Sequence, residues 1–332
     1  MRIKNSAGYR YAITICDLLS MVSDTGLWPD FKNHYLFAMN LPAIKYLTVN
    51  EQDPGWGLIT TTVGLQKILP LQAYPSKDHP SPYWFYPETG RILQEFQLIY
   101  ITEGKGTFRV KSKPAITVSA GQIIMLFPGE WHTYSPAAEG WTTYWVGFKG
   151  RFAEQLVQQQ FFRKADAIHQ VGYQEKMVAL FQDIIQHAYE EKPGYQPLIS
   201  STVIQLLGLL HYTIQNNQFT DPEIVTKIAR AKTMMQEHPG GEIPPEELAQ
   251  ALNISYSWFR KMFRKYTGLA PAQYQHQLKM QKAREWLANT DKPVKEIAYI
   301  LNFDSPNYFN NSFKQSTGIT PARFRKLWRS GA

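Results

Sequence analysis

Ser257, Arg260, Lys261 and Arg264 fall on one face of a helix whose other face carries Phe259, Met262, Phe263 and Tyr266. Arg and Lys on such a face can donate to guanine O6 and N7, the chemistry of a helix laid in a DNA major groove. Fifty residues later, Phe309 and Phe313 again mark an inward stripe, and Asn307, Asn310, Asn311 and Lys314 point outward. Asn pairs with adenine N6 and N7, and each good bidentate contact is worth about 1–3 kcal/mol of discrimination between bases. A solvated polar face is the bland reading of either set. Their place inside a repeat weighs against it.

A second set is aromatic: Tyr83, Trp84, Phe85, Tyr86, Trp131, Tyr134, Trp141, Tyr144 and Trp145. Most of these rings must be core. In an alternating strand, however, Thr143 and Trp145 share one face while Tyr144 and Val146 share the other, so a hydroxyl and an indole are available together. An aromatic face packs on the C–H groups of a sugar. Arg91 and Trp84, just before the first strong strand, are further pocket candidates. Glu103 and His132 are two potential metal ligands, short of the three protein ligands of a typical catalytic site, and an isolated His is more often a hydrogen-bonded structural residue. No cofactor or metal is implied.

The repeat that would position the first set is explicit. Leu248-Ala249-x-x-Leu252-Asn253-Ile254 matches Ile297-Ala298-x-x-Leu301-Asn302-Phe303 at an offset of 49 residues. Phe259, Phe263, Thr267-Gly268, Pro271 and Tyr274 then match Phe309, Phe313, Thr317-Gly318, Pro321 and Phe324 at an offset of 50. Each copy reads as helix, tight turn, helix. Pro245 and Pro293 suit a first helical turn, Asn253 and Asn302 a left-handed stop, Ser255 and Ser305 an N-cap with Pro306 behind the latter, and Gly268 and Gly318 a C-terminal stop. A connecting helix from about Pro271 to Leu287 would be roughly 25 Å long, enough to bring two units to successive major grooves.

Upstream, β-prone runs cover Leu58–Val63, Phe96–Thr102, Gly106–Lys111, Ala115–Val118, Ile123–Phe127 and Thr142–Phe148, the pattern of an antiparallel barrel or sandwich. Gly104-Lys105-Gly106 reads as a hairpin turn between two of them, which removes a phosphate-binding loop because no helix follows. Helical spacing then appears in Met177, Leu180, Phe181, Ile184 and Ile185, and in Ile199, Val203, Leu206, Leu207 and Leu210. These predict two long helices divided at Pro193-Gly194, with stripes wide enough for the barrel and for a second copy of the chain. Gln215-Asn216-Asn217-Gln218 reads as a polar linker before a helix start at Asp221-Pro222.

Charge follows the same division. Of 35 Lys and Arg, 17 lie after Thr220, against 10 of 27 Asp and Glu, so that part carries +7 of the net +8. A near-neutral domain is joined to a basic one, which favours phosphate backbones as partner. Cys16 is the only cysteine, excluding an internal disulfide. No apolar run long enough for a membrane span and no signal peptide stands out, which places the chain in the cytoplasm.

Leu248–Tyr274 and Ile297–Arg325 look like the paired motifs of the AraC family of bacterial regulators, a resemblance that covers about Ile224 to Arg329. Tyr308-Phe309, Phe313-Lys314, Thr317-Gly318-Ile319-Thr320-Pro321 and Phe324-Arg325 carry it most specifically. Asn302 stands where the family often has Gly and tolerates the same backbone. The resemblance implies that the second helix of each unit contacts bases, in keeping with the eight outward residues above. Phe96–Gly104, with Gly121-x6-Pro128-Gly129-x2-His132, resembles the cupin-like sensor domains of this family. Active metal cupins use a His-x-His pair, a later Glu and a further His; setting Gly90 and Glu103 on that pattern puts Phe96 and Leu98 at the histidine positions.

Pro128–Tyr134 and Trp141–Phe148 are similar to the arabinose-responsive member, which implies that Trp145 stacks on a sugar and that Tyr134 and Thr143 contact it. With Trp84, Arg91 and His132 these make the candidate ligand-binding set. The expected architecture is multidomain α and β: an N-terminal extension (1–43), a cupin-like ligand-sensing β-barrel (44–150), a helical hairpin suited to dimerisation (151–220), and an all-α DNA-binding domain (221–332) with helix-turn-helix motifs at about 245–266 and 293–315. The resemblance fades before about Ile44, and Met39 is an equally natural start. The expected function is a sugar-responsive activator that engages double-stranded DNA, a carbohydrate effector, RNA polymerase and a second copy of itself. A ligand-independent regulator and a cupin-type enzyme are the rivals.

Overall fold

Strand alternation builds the first unit, because both faces of its long strands are used. The computed structural model describes residues 2–4, 10–12, 43–75, 86–111, 113–217, 221–238 and 243–329. Trp84, Cys16, Met39 and nearly all of the expected 1–43 extension lie outside them. The chain divides into two units, Met1–Gln218 and Phe219–Ala332.

In the first unit, β1 (Arg2–Lys4) and β2 (Arg10–Ala12) pair as a separate antiparallel ribbon. The main sheet contains β3 (Ala43–Tyr46), β4 (Ile59–Ile68), β5 (Arg91–Ile92), β6 (Phe96–Val110), β7 (Ile116–Ser119), β8 (Gln122–Leu126), β9 (Trp131–Lys149) and β10 (Ile168–Gln170). Its order is β10-β8-β6-β9-β4-β3, with β5 added to β9 and β7 to β6, and the pairs are antiparallel. This curled sheet is the cupin-like barrel. Its interior holds Ile68, Leu93, Ile99, Ile101, Phe108, Val118, Ile124, Leu126 and Trp141. The opposite face of the same strands carries Val63, Leu65, Leu98, Tyr100, Tyr144, Val146 and Phe148.

The expected hairpin at Gly104-Lys105-Gly106 is not there. β6 runs unbroken through these residues and stays paired with β9 on either side, with register shifts between Ile101 and Glu103 and between Gly104 and Gly106. A bulge, not a chain reversal, bends both strands. Gly104 has φ +75°, and a Cβ there would lie 2.1 Å from the carbonyl of Gly140.

Three helices follow: α1 (Arg151–Gln158), α2 (Glu175–Glu190) and α3 (Tyr195–Asn216). The ten apolar residues that predicted α2 and α3 are all buried, in one core with the outward face of the barrel strands. Phe181 sits between Tyr100 (ring centroids 6.2 Å apart) and Tyr144 (5.9 Å). α3 takes in Gln215 and Asn216, so the polar segment begins later than expected. By length and composition α3 is also apolar enough to cross a membrane, with a mean hydropathy of 1.3, contrary to the expectation of no such run. Its Gln196, Ser200 and Thr213 break the apolar string without lowering the mean far. Here Ile199, Val203, Leu206, Leu207 and Leu210 bury against the sheet and α2.

The second unit is all helical: α4 (Pro222–Glu237), α5 (Pro245–Ala251), α6 (Tyr256–Thr267), α7 (Pro271–Asn289), α8 (Val294–Ile300), α9 (Pro306–Thr317) and α10 (Pro321–Arg329). Local signals set its boundaries. Asn253 and Asn302 are left-handed at φ 53° and 52°. Ser255 and Ser305 accept from the Trp258 and Tyr308 amides, and Gly268 and Gly318 close α6 and α9 with positive φ. There are two cores. Leu248, Ala249, Phe259 and Phe263 form one with α4, while Ile297, Leu301, Phe309 and Phe313 form the other with Met280, Ala283 and Leu287 of α7.

α7 is shared by polar contacts as well. Gln275 bonds both the amide (3.2 Å) and the carbonyl (2.9 Å) of Ile243, on the α5 side. His276 Nε2 lies 3.1 Å from Ser312 Oγ, and Lys279 Nζ donates to the carbonyl of Asn302 at 3.3 Å, on the α8–α9 side.

Candidate ligand pocket and nucleic-acid interface

Alternation along β9 turns Trp141, Thr143 and Trp145 into the barrel, and antiparallel pairing sets Ile68, Gln66 and Gly64 of β4 beside them. The same pairing sets Gly104, Ile101 and Ile99 of β6 on their other side. A cavity of about 30 Å³ remains, lined by Tyr46, Thr62, Gln66, Tyr74, Arg91, Gln97, Ile99, Tyr134, Trp141, Thr143 and Trp145. Four residues singled out from the sequence, Arg91, Tyr134, Thr143 and Trp145, therefore meet on one cavity. His132 stands beside it without lining it. Trp84 lies outside the described residues.

β5 brings Arg91 opposite His132. The guanidinium donates to Tyr134 Oη at 2.7 Å and to His132 Nε2 at 3.4 Å. Nδ1 of His132 is 3.0 Å from the Glu130 carbonyl. A neutral ring protonated at Nδ1 satisfies both neighbours. Burial and the adjacent Arg91 lower the His132 pKa to about 4, which keeps the ring neutral. The Tyr74 hydroxyl is pushed up by burial and by Tyr134, so it remains a donor. The wall thus offers hydrogen bonds from a cation and from phenols, arranged around indole faces.

Trp145 lies flat against β4. A Cβ on Gly64 would fall 2.1 Å from its Cζ2, so the glycine is what admits the ring. Two polar atoms of the wall, Gln97 Oε1 and Trp141 Nε1, are buried without a hydrogen-bond partner.

The His-x-His alignment needs a correction. Phe96 and Leu98 face the hairpin: Phe96 stacks on Phe148 at 5.6 Å, and Leu98 is buried in that core. The interior positions are Gln97 and Ile99, one residue out of register. A one-residue slip exchanges the faces of a strand. Glu103, exposed, accepts from Thr142 Oγ1 at 2.8 Å, which together with Lys67 lowers its pKa, far along β6 from the Val110 that pairs with His132. Among the described residues no three His, Cys, Asp or Glu gather at one point.

Sequence reasoning passed over Tyr46, Thr62, Gln66, Tyr74 and Gln97 as pocket residues. A usable signal lies in β4, whose alternate positions Thr62, Gly64 and Gln66 are all small or polar beside apolar Val63 and Leu65. Such a row faces either water or a wet cavity.

In the second unit, α6 buries Phe259 and Phe263 and exposes Ser257, Arg260, Lys261 and Arg264, together with Tyr256 and Lys265, which line one shallow concave face. On α9, Asn307, Asn311 and Lys314 are exposed and Asn310 is half-buried. The residues expected to face a groove therefore project from the second helix of each unit. α6 presents cations, and α9 presents amides with a single lysine.

Comparison with known proteins gives a match to an AraC-like ligand-binding domain over residues 79–207 and to a helix-turn-helix domain over residues 248–327. The Msm operon regulatory protein of Streptococcus mutans is 27% identical over 78% of this chain and 92% of its own. The lactose operon transcription activator of Staphylococcus xylosus is 24% identical over 70% of this chain and 85% of its own. The arabinose operon regulatory protein of Escherichia coli is 26% identical over 62% of this chain and 72% of its own.

Proposed function

The chain is a DNA-binding transcriptional regulator of the AraC family, and from that premise we propose that it is a cytoplasmic activator responding to a sugar or sugar derivative held in the barrel. The observation that carries the sugar is the convergence of Arg91, Tyr134, Thr143 and Trp145 on one cavity, which joins an indole face to polar groups able to hold hydroxyls. Relatives named for arabinose and lactose operons support the class of effector, and the one named an activator supports the direction of control. On this reading Ser257, Arg260, Lys261 and Arg264 read one segment of the operator. Asn307, Asn310, Asn311 and Lys314 read another. RNA polymerase and a second copy of the chain complete the assembly at the promoter, with the exposed Leu198 and Tyr212 of α3 available to the latter.

A sugar acts here only if it binds the DNA-competent arrangement with a different affinity from the other. A titration of the protein on its own upstream DNA at fixed salt, with and without pentoses, hexoses and oligosaccharides, tests this. One sugar should shift the curve, and Trp145→Ala should abolish the shift while leaving sugar-free DNA binding intact. Sugar-independent binding would favour a ligand-independent regulator, a reading supported by the cavity's volume of about 30 Å³. Ligand sites commonly offer roughly 300 Å³ or more. No preference over random DNA would remove the reading altogether.

A further inference from the structure

Among the described residues four buried side-chain atoms lack a hydrogen-bond partner: Gln97 Oε1, Trp141 Nε1, His169 Nε2 and His211 Nδ1. The two imidazole nitrogens belong to an aromatic cluster with Phe161 and Phe162. The other two atoms belong to residues that line the barrel cavity, and both residues are only 3% exposed. They come from different strands, β6 and β9, and they are chemically complementary, one an acceptor and the other a donor.

The fold does not require either atom. Gln97 shares its face of β6 with Ile99 and Ile101, where an aliphatic side chain would do the same packing. Trp141 packs edge-on to Tyr74 at 6.4 Å and against Tyr134 at 6.2 Å, contacts that its ring carbons make without the N–H. Buried polar groups are nearly always paired in folded proteins, with protein or with a molecule in the adjoining cavity, so two unpaired ones at a single cavity mark it as a place where a polar partner is held.

We propose that Gln97 Oε1 and Trp141 Nε1 are effector-contacting atoms, accepting a hydrogen bond from one hydroxyl of a polyol and donating to another oxygen of the same molecule. This rests on the sugar-sensing reading and sharpens it. Gln97 Oε1 demands a donor, which a hydroxyl supplies and a carboxylate at that end does not. The pocket then fixes a polyhydroxylated ligand at two points besides its stacking face, and rejects an analogue lacking either group because a buried partner would again be stranded.

The test compares the full chain with Gln97→Leu and Trp141→Phe, by thermal unfolding and by titration with L-arabinose, D-xylose, D-galactose and lactose followed by thermal shift. Without sugar Gln97→Leu should melt at or above the parent temperature, because it loses an unsatisfied atom, while Trp141→Phe, which also gives up ring packing in the core, is read by sugar affinity alone. The sugar that stabilises the parent should bind each variant about tenfold more weakly, the loss of one hydrogen bond. A lower melting temperature of Gln97→Leu would mean that its amide oxygen is already paired in the free protein, and would overturn the proposal. Unchanged sugar affinity in both variants would overturn it too, while leaving the sugar-sensing reading in place. No shift of the parent by any of these sugars would remove the polyol assignment and the broader reading together.

Discussion

Gly64 and His132 show how individual residues hold the pocket in shape without lining it. Trp145 fits only because position 64 has no side chain, so Gly64→Ala should push the indole off the strand. The expected result is a loss of sugar response of about tenfold or more, with sugar-free operator binding retained, read in the same DNA titration. His132 makes a prediction about pH. Its value of about 4 lies below the ordinary 6.5, so the unfolded chain takes up a proton first as pH falls. Its neutral, buried form therefore contributes nothing adverse above pH 6.5, and stability is lost progressively as pH falls from 6.5 to about 4. Melting temperatures of His132→Asn should fall less steeply than those of the parent over that window. Glu95, raised by burial, titrates in the opposite sense, and the comparison cancels it because both proteins contain it.

At the scale of elements, α7 is the piece on which the two helix-turn-helix units depend. Gln275 holds the approach to α5 through both backbone groups of Ile243, so Gln275→Leu leaves a half-buried donor and acceptor without that partner and should cost about 1 kcal/mol. Urea unfolding measures it. The helical elements were the most legible in the sequence, because Pro245, Asn253, Ser255, Ser305, Pro306, Gly268 and Gly318 act within a turn of where they stand. The strands were less so. Whether Gly104-Lys105-Gly106 reverses the chain or bends it depends on a partner strand 30 residues or more away, which no local signal reports. β9 was read on the correct faces from Thr143, Tyr144 and Trp145. β6 was read one residue out when set on a histidine pattern, and Gln97 escaped notice for that reason. Tyr74 reaches the pocket from the segment after β4, where no periodicity exists to point to it.

For the whole molecule, the division of charge places the salt sensitivity of DNA binding in the second unit. If Lys265 meets a phosphate, replacing it should lower the slope of log K against log salt by about one. Coupling between the units is reciprocal by thermodynamic necessity. If a sugar tightens operator binding by a given factor, saturating operator DNA should tighten sugar binding by the same factor, and equal sugar affinity with and without operator DNA would show that the sugar does not act through DNA affinity. The barrel wall has a last consequence. Along β6 and β9 the odd positions Gln97, Ile99, Thr143 and Trp145 look into the cavity, and the even positions Leu98, Tyr100, Tyr144 and Val146 look at the helical hairpin. Two alphabets are therefore written alternately on one ribbon of backbone. Substitution can respell the odd letters, and so what the cavity admits, while leaving untouched the even ones that hold the hairpin.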